Sequence, residues 1–387
     1  MTAKSLLPLA GCCLLLHCGA ALAIQDCEIN RQPVNPNNGY TTEGKSCVMR
    51  CKDKDSGALL REQEIRNGKF IGLVRFYQDG KLTQEYSVND KGNRDGVARE
   101  FAANGQMLRE ENYANGQQSG MAKNFHKNGK LRRATFYGLG NSEQAYAEFN
   151  EGGQLRELRC SDKAVLAPVV DDGALCGFAR TPVTIEFFND KAELRARATY
   201  DAGKRVRYET LWDNGKTSQL EENSNGRRIE RSFSREGIKR RELVSRLGGK
   251  YPMKERQQEF SESGTLLDDR QWIDGELSVE KHFFLNGQLR SLSETLEDGK
   301  QRSVNIKNYY DSGILAGEEH YLKSGTGGYR QQAIGTHKSY NQRGMMVAAS
   351  TYDGRGRLKH ERSWDDAGRL IRDDEVFEDG SRKAYAK

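Results

Sequence analysis

The sequence predicts an all-β fold, an elongated antiparallel meander of repeated β-hairpins of about 24 residues, and three observations carry that prediction. A short phrase recurs: an aromatic, two variable residues, Asn-Gly, a polar residue and an aliphatic, as in FAANGQM (101–107) and FHKNGKL (125–131). Asn-Gly between short apolar-bearing runs is the strongest local signal for a two-residue type I′ hairpin turn, whose central residues both need positive φ. A second turn lies on the opposite edge of each unit, at Asn67-Gly68, Asn115-Gly116, Asn225-Gly226, Asp274-Gly275 and Asp298-Gly299, and two turns per unit make a meander. Finally, 36% hydrophobic and 30% charged residues, with 41 Gly and 6 Pro, are too apolar for a disordered chain and too polar for a thick core.

Taken in order, residues 1–23 read as a signal peptide: one early cation, Lys4, an apolar run through Leu14, Leu15 and Leu16, and a small-x-small close at Ala21-Leu22-Ala23. Leu9-Ala10-Gly11-Cys12 offers a rival lipobox, but cleavage there would strand an apolar tail from Cys13, so a periplasmic protein is expected over a lipoprotein at Cys12. Residues 24–60 carry Cys27, Cys47 and Cys51 with little periodicity and read as an N-terminal cap that covers the first sheet edge. Hairpin repeats then run over 61–159, with the phrase glycine at Gly80, Gly105, Gly129 and Gly153. A cysteine-bracketed insert occupies 160–182, and repeats resume over 183–387 in more degenerate form, from FNDKAEL (188–194) through Gly215, Gly237, Gly264, Gly287, Gly313, Gly344 and Gly368. One elongated body is expected, since each repeat packs only on its neighbours.

The phrase aromatics, among them Phe76, Phe101, Phe125, Phe149, Phe188 and Phe283, are expected to stack along one face and form the core. In an oxidising compartment Cys160 should pair with Cys176, closing a loop that stabilises by about 3 kcal/mol. Of Cys27, Cys47 and Cys51 one is left over, either as a reactive or intermolecular thiol or as a buried inert one. The spacing of Cys47 and Cys51 would suit zinc, yet no second pair or nearby His completes a site, so no metal and no cofactor is expected.

The net charge of +6, from 61 basic and 55 acidic residues, is nearly balanced and shows no concentrated basic stripe, which argues against a nucleic-acid partner. The histidines at 126, 282, 320, 337 and 360 have no metal-spaced partners, and no Gly-x-Ser-x-Gly elbow or phosphate loop occurs, so no catalytic residue is assigned and a non-enzyme is expected. One polar pattern recurs: a basic residue follows the phrase aliphatic in Leu131-Arg132, Leu155-Arg156, Leu194-Arg195 and Leu289-Arg290, with Arg109 one position later. In stacked units these would form a ladder opposite the aliphatics. It is either a comb for a partner's carboxylates or phosphates, or a solvated face paired with residues such as Glu110, Glu157 and Glu193. Arg109, Arg132 and Arg156, in the most regular stretch, are the candidate partner-binding residues.

FHKNGKLRR, FAANGQMLREENYANG and FFLNGQLRS resemble the MORN-variant repeat, a unit associated with antitoxins. The resemblance extends at repeat level over about 65–372, is close from Gly80 to Gly153 and at Gly287, and is poor at Ala192, Gly237 and Gly344. It implies a hairpin array with a binding role and, more loosely, neutralisation of a toxin. With an export signal, that implies a periplasmic immunity protein occluding an envelope-active toxin or secreted effector, such as a lipase. The alternative from another class is an envelope scaffold holding membrane lipid or another envelope protein.

Overall fold

A computed structural model describes residues 25–179, 181–298, 301–324 and 330–385. The signal peptide and the Cys12 phrase lie outside the described residues, as do Gly299 and the glycines of 325–328. The described chain forms 31 strands, joined by turns, with two three-residue 3-10 segments and one four-residue helix, Asp172–Leu175. The strands form two antiparallel meander sheets in which nearly every strand pairs with its neighbours in sequence, and neither sheet closes. The chain divides into two compact units, Met1–Gln144 and Ala145–Lys387.

In the first unit the cap is itself sheet. Strands Gln25–Ile29, Gln32–Val34 and Cys47–Asp53 continue into Leu59–Arg66 and Lys69–Gln78 without a break. Cys27 and Cys51 face each other in register and form a disulfide, which leaves Cys47 free and half-buried, its sulfur accepting from the Asn30 amide at 3.3 Å. Around that bond Ile29, Val34, Met49 and Ile65 form a small core. The meander proceeds through Lys81–Val88, Arg94–Phe101, Met107–Ala114 and Gly120–Phe125 to Leu131–Tyr137.

The second unit begins within the strand Glu143–Phe149, whose hairpin with Leu155–Arg159 is the last of the 13-stranded sheet, and it holds a separate 18-stranded sheet from Val183–Phe188 to Arg382–Ala384. The insert sutures these parts together. Cys160 and Cys176 are disulfide-bonded as expected, and the backbone N–H groups of Ala202 and Gly203 donate to the carbonyls of Gly177 and Cys176 at 3.1 and 2.8 Å. Gly203 is required here twice over: its φ is +80°, and a Cβ would lie 2.3 Å from the Ser161 carbonyl oxygen. The buried Tyr200 hydroxyl donates to the Leu158 carbonyl at 3.0 Å, and the Asn150 amide to the Asn189 carbonyl at 2.9 Å.

The turns follow two chemistries, and the type I′ expectation holds for only one of them. At Asn67-Gly68, Asn115-Gly116, Asn225-Gly226 and Asp274-Gly275 both residues have positive φ, as the two-residue turn demands. The phrase turns are longer. In 126–130 the Gly129 N–H donates to the His126 carbonyl and the His126 N–H to the Lys130 carbonyl, both at 2.9 Å, and only Gly129 has positive φ. This is a type I turn followed by one left-handed residue. The asparagine serves such a turn through its side chain. Asn128 Oδ1 accepts the Lys130 N–H at 3.0 Å, as Asn104, Asn214 and Asn286 accept from Gln106, Lys216 and Gln288. Its spare amide reaches the next phrase turn: Asn214 donates to the Arg235 carbonyl and Asn286 to that of Asp311, both at 2.8 Å.

The phrase aromatics do not form a buried core. Phe76, Phe101, Phe125, Phe149, Phe188 and Phe283 are all half-buried. The ring contacts run to other partners, such as Phe76 to Tyr86 at 6.1 Å and Phe187 to Tyr208 at 6.4 Å. Beyond Leu211 the buried apolar side chains among the described residues are Val304 and Val376. A meander whose strands pack chiefly on their sequence neighbours has few places to hide a large ring on all sides.

Candidate partner-binding face

The Leu-Arg pattern has a single structural cause. In the regular phrase hairpins the aromatic pairs with the aliphatic, and the register then skips one residue; the skip persists where the pair has degenerated, as at Phe233 opposite Lys239. Phe125 faces Leu131 and Asn124 faces Arg133, so Arg132 is unpaired in the ladder; Phe149 faces Leu155 and Glu148 faces Glu157, so Arg156 is likewise skipped. The same skip isolates Arg195, Arg240 and Arg290. Each of these arginines is thus the extra residue of a β-bulge, a device that re-aims a side chain away from the ladder. Arg109 differs. It faces Glu100, and Leu108 is the bulge residue of that hairpin.

The three candidate residues therefore have different environments. Arg109 approaches the buried Glu111 at 3.6 Å, and Glu111 also accepts from the Tyr113 hydroxyl and the Gln118 amide, each at 2.8 Å. Arg132 is exposed. Arg156, in the second unit, is held by Asp190 at 3.0 Å and Glu148 at 3.6 Å. The expected partner Glu110 is not available to Arg109, since adjacent residues of a strand point to opposite faces.

Glu110 belongs instead to an array that sequence reasoning does not reveal. On one face of the first unit Arg50, Glu62, Arg75, Glu85, Arg99, Glu110 and Lys123 come from successive strands and face one another in register, with alternating sign. The N to O distances along this ladder are 3.0, 3.8, 3.3, 2.9, 2.8 and 2.6 Å. The Lys123 ammonium, aided by Arg99 and opposed by burial, holds the Glu110 carboxyl below the ordinary glutamate range. At Glu62 burial acts upward, but hydrogen bonds from Tyr77 and Arg50 prevail and its pKa is also lowered.

The opposite face of the same strands carries a stack of arginine and aromatic side chains. The Arg61 guanidinium lies 5.5 Å from the Phe76 ring, which neighbours Tyr86, and Arg94 lies between Tyr86 at 4.3 Å and Tyr113 at 5.6 Å. Such contacts are worth about 0.5–1 kcal/mol at exposed sites and fix planar groups in one orientation. Burial, then the hydrogen bond to Glu111, raises the Tyr113 pKa, so that hydroxyl stays a donor. Next to Ala98, whose methyl leaves the stack incomplete, a cleft of about 60 Å³ is lined by Arg94, Arg109, Glu111 and Tyr113. The chemistry on offer is recognition of polar and charged groups by pre-oriented side chains. Among the described residues no group of three or more His, Cys, Asp or Glu could hold a metal ion, and no helix is long and apolar enough to cross a membrane.

Residues 94–115 match the MORN repeat variant family, a stretch that spans Arg94–Phe101, Met107–Ala114 and the phrase turn between them. No curated protein matches the chain. Matches to solved structures include 69 chains. One is the TcdB2-TccC3-Cdc42 complex, at 10% identity and a TM-score of 0.17, covering 92% of this chain and 19% of that one. Another is the Photorhabdus luminescens Tc holotoxin pore, at 10% identity and 0.17, covering 87% and 18%. A putative 6-phosphogluconolactonase from Bacteroides fragilis matches at 14% identity and 0.11, covering 89% and 96%. The chain spans less than a fifth of the length of the first two, and at these scores the likenesses carry no argument.

Proposed function

We propose that this chain is a periplasmic immunity protein, an antitoxin-like binder that masks an envelope-active toxin or secreted effector, such as a lipase, by occlusion and without catalysis. The observation that carries the reading is the two-faced hairpin sheet of the first unit. One face is a register-locked ladder from Arg50 to Lys123, the other the arginine and aromatic stack from Arg61 to Tyr113. Side chains already immobilised by cross-strand partners lose little further entropy on binding, so such a surface suits tight association with a protein. Enclosing a toxin's active site requires a broad, stiff surface and no reacting group. The MORN-variant match within this same stretch supports a repeat array used for binding, and the two disulfides fit an oxidising compartment outside the cytoplasm.

The test is to produce the toxin candidate encoded beside this chain in the periplasm, with and without it. Protection, and inhibition in vitro that is complete at about one molecule per toxin, is expected, because occlusion is stoichiometric. No protection, with recovery of membrane lipid or a structural envelope protein from the purified chain, would overturn the reading in favour of an envelope scaffold.

A further inference from the structure

Within the second unit, Arg195, Arg240 and Arg290 occupy the bulge position of alternate phrase hairpins, and Ser218 and Leu267 occupy it in the hairpins between. Four strand steps separate Leu194–Asp201 from Lys239–Arg246, and four more lead to Leu289–Asp298. At about 4.8 Å per step the three backbone positions recur about every 19 Å along the sheet. None of the three has a carboxylate within 4.0 Å among the described residues, and Arg290 rests 5.9 Å from the Phe284 ring centroid. Arginines on the other edge of the same sheet are neutralised at home: Arg227 by Glu255 at 2.7 Å, Arg246 by Asp274 at 3.0 Å and Arg302 by Glu297 at 2.9 Å. A bulge residue lies outside the ladder and has no directly opposed side chain; at Arg156 neighbouring carboxylates take up the charge, whereas none does so within 4.0 Å at Arg195, Arg240 and Arg290.

We infer that Arg195, Arg240 and Arg290 form a docking row for an acidic protein segment, whose carboxylates pair with guanidinium groups carried at backbone positions about 19 Å apart. The inference rests on the binding role proposed above and names the chemistry of the partner. Charge complementarity selects the occupant: three fork-shaped cations at equivalent bulge positions, each without a carboxylate within 4.0 Å among the described residues, match a run of Asp or Glu side chains. Because the row covers about 38 Å, a short acidic peptide bridges two arginines at most, whereas one able to span the row gains by linkage of its contacts.

The experiment uses the full disulfide-bonded chain and fluorescent oligoglutamates. A hexaglutamate reaches about 20 Å and a hexadecaglutamate about 50 Å when extended. The longer peptide should bind at least about tenfold more tightly than the shorter, and the R195Q/R240Q/R290Q variant should abolish that advantage. The R227Q/R246Q/R302Q variant, which removes the same charge from the opposite edge, should change binding less than about threefold. Equal losses in the two variants, no binding of the longer peptide, or tighter arginine-dependent binding of a sulfated polysaccharide of equal charge would each overturn the inference. Its failure is distinct from that of the immunity reading. Full protection by R195Q/R240Q/R290Q sinks the docking row alone, whereas absence of protection by the native chain sinks the immunity reading.

Discussion

Arg99 Nε lies 2.8 Å from Glu110 on the next strand, in a pair that is directly opposed in register. The same guanidinium reaches Glu85 on the preceding strand at 2.9 Å, so one arginine ties three strands. A side chain already fixed by one partner loses little further entropy in meeting a second, which is why a ladder exceeds the worth of isolated exposed pairs. A double-mutant cycle with Arg99→Ala and Glu110→Ala, read by chemical denaturation, should give a coupling of about 0.5–1 kcal/mol that shrinks at high salt. A coupling of zero at low salt would leave the ladder a geometric pattern without energetic content.

The pH dependence follows from the same residue. Hydrogen bonding to Lys123, then to Arg99, lowers the Glu110 pKa in the folded state, so its contribution is present above the unfolded value of about 4.3 and is lost as pH falls through the folded value. Glu110→Gln should therefore melt below the native chain at neutral pH, and the difference should fade as pH drops from about 5 towards 3. A difference that grew on acidification would contradict the direction of the shift.

How much of this was legible in the sequence depends on whether the controlling interaction is local. The Asn-Gly and Asp-Gly turns are local, and the hairpin array follows from them. Their type is not: Asn128-Gly129 and Asn115-Gly116 look alike, and only the number of residues left between paired strands makes one a five-residue loop and the other a two-residue turn. A spacing of about 24 residues also passes over Gly356 and Gly380, which with Gly344 and Gly368 punctuate the last strands at every turn. The ladder from Arg50 to Lys123 joins charges 10 to 14 residues apart, in a chain that is 30% charged, so its signal is lost in its background. For the bulge arginines the adjacency Leu-Arg was visible, yet that the arginine stands outside the ladder is a property of the paired partner strand.

The disulfide pattern gives a chemical test. Non-reducing peptide mapping should link Cys27 to Cys51 and Cys160 to Cys176, with Cys47 alkylated once the chain is unfolded. Replacing Cys160 and Cys176 together by serine should destabilise the second unit by about 3 kcal/mol through the freed loop, and should loosen the contacts of Gly177 and Cys176 with 202–203. Hydrogen exchange at Ala202 and Gly203 would report that loosening, and unchanged protection there would mean that the insert holds without its bond.

The degenerate phrase at 188–194 supplies the last prediction, because Ala192 occupies the place that glycine holds in turns such as 126–130. Its φ is +63°, and its N–H donates to the Asn189 carbonyl at 3.1 Å, as Gly129 donates to His126. An L-residue in the left-handed region costs about 1–2 kcal/mol, because its Cβ crowds the neighbouring carbonyl. The surrounding turn enforces the conformation all the same. Asn189 Oδ1 accepts from both Lys191 and Glu193, at 3.0 and 2.9 Å, and the Asn189 carbonyl is held in turn by the Asn150 amide. Ala192→Gly removes the steric cost and gives back about 0.4–1 kcal/mol through the freer unfolded chain, so the net effect should be a stabilisation of about 0.5–1 kcal/mol. The converse change, Gly129→Ala, should destabilise the first unit by a similar amount. Thermal melts of the two variants should therefore move in opposite directions, and a fall in both would show that the left-handed position does not govern these turns.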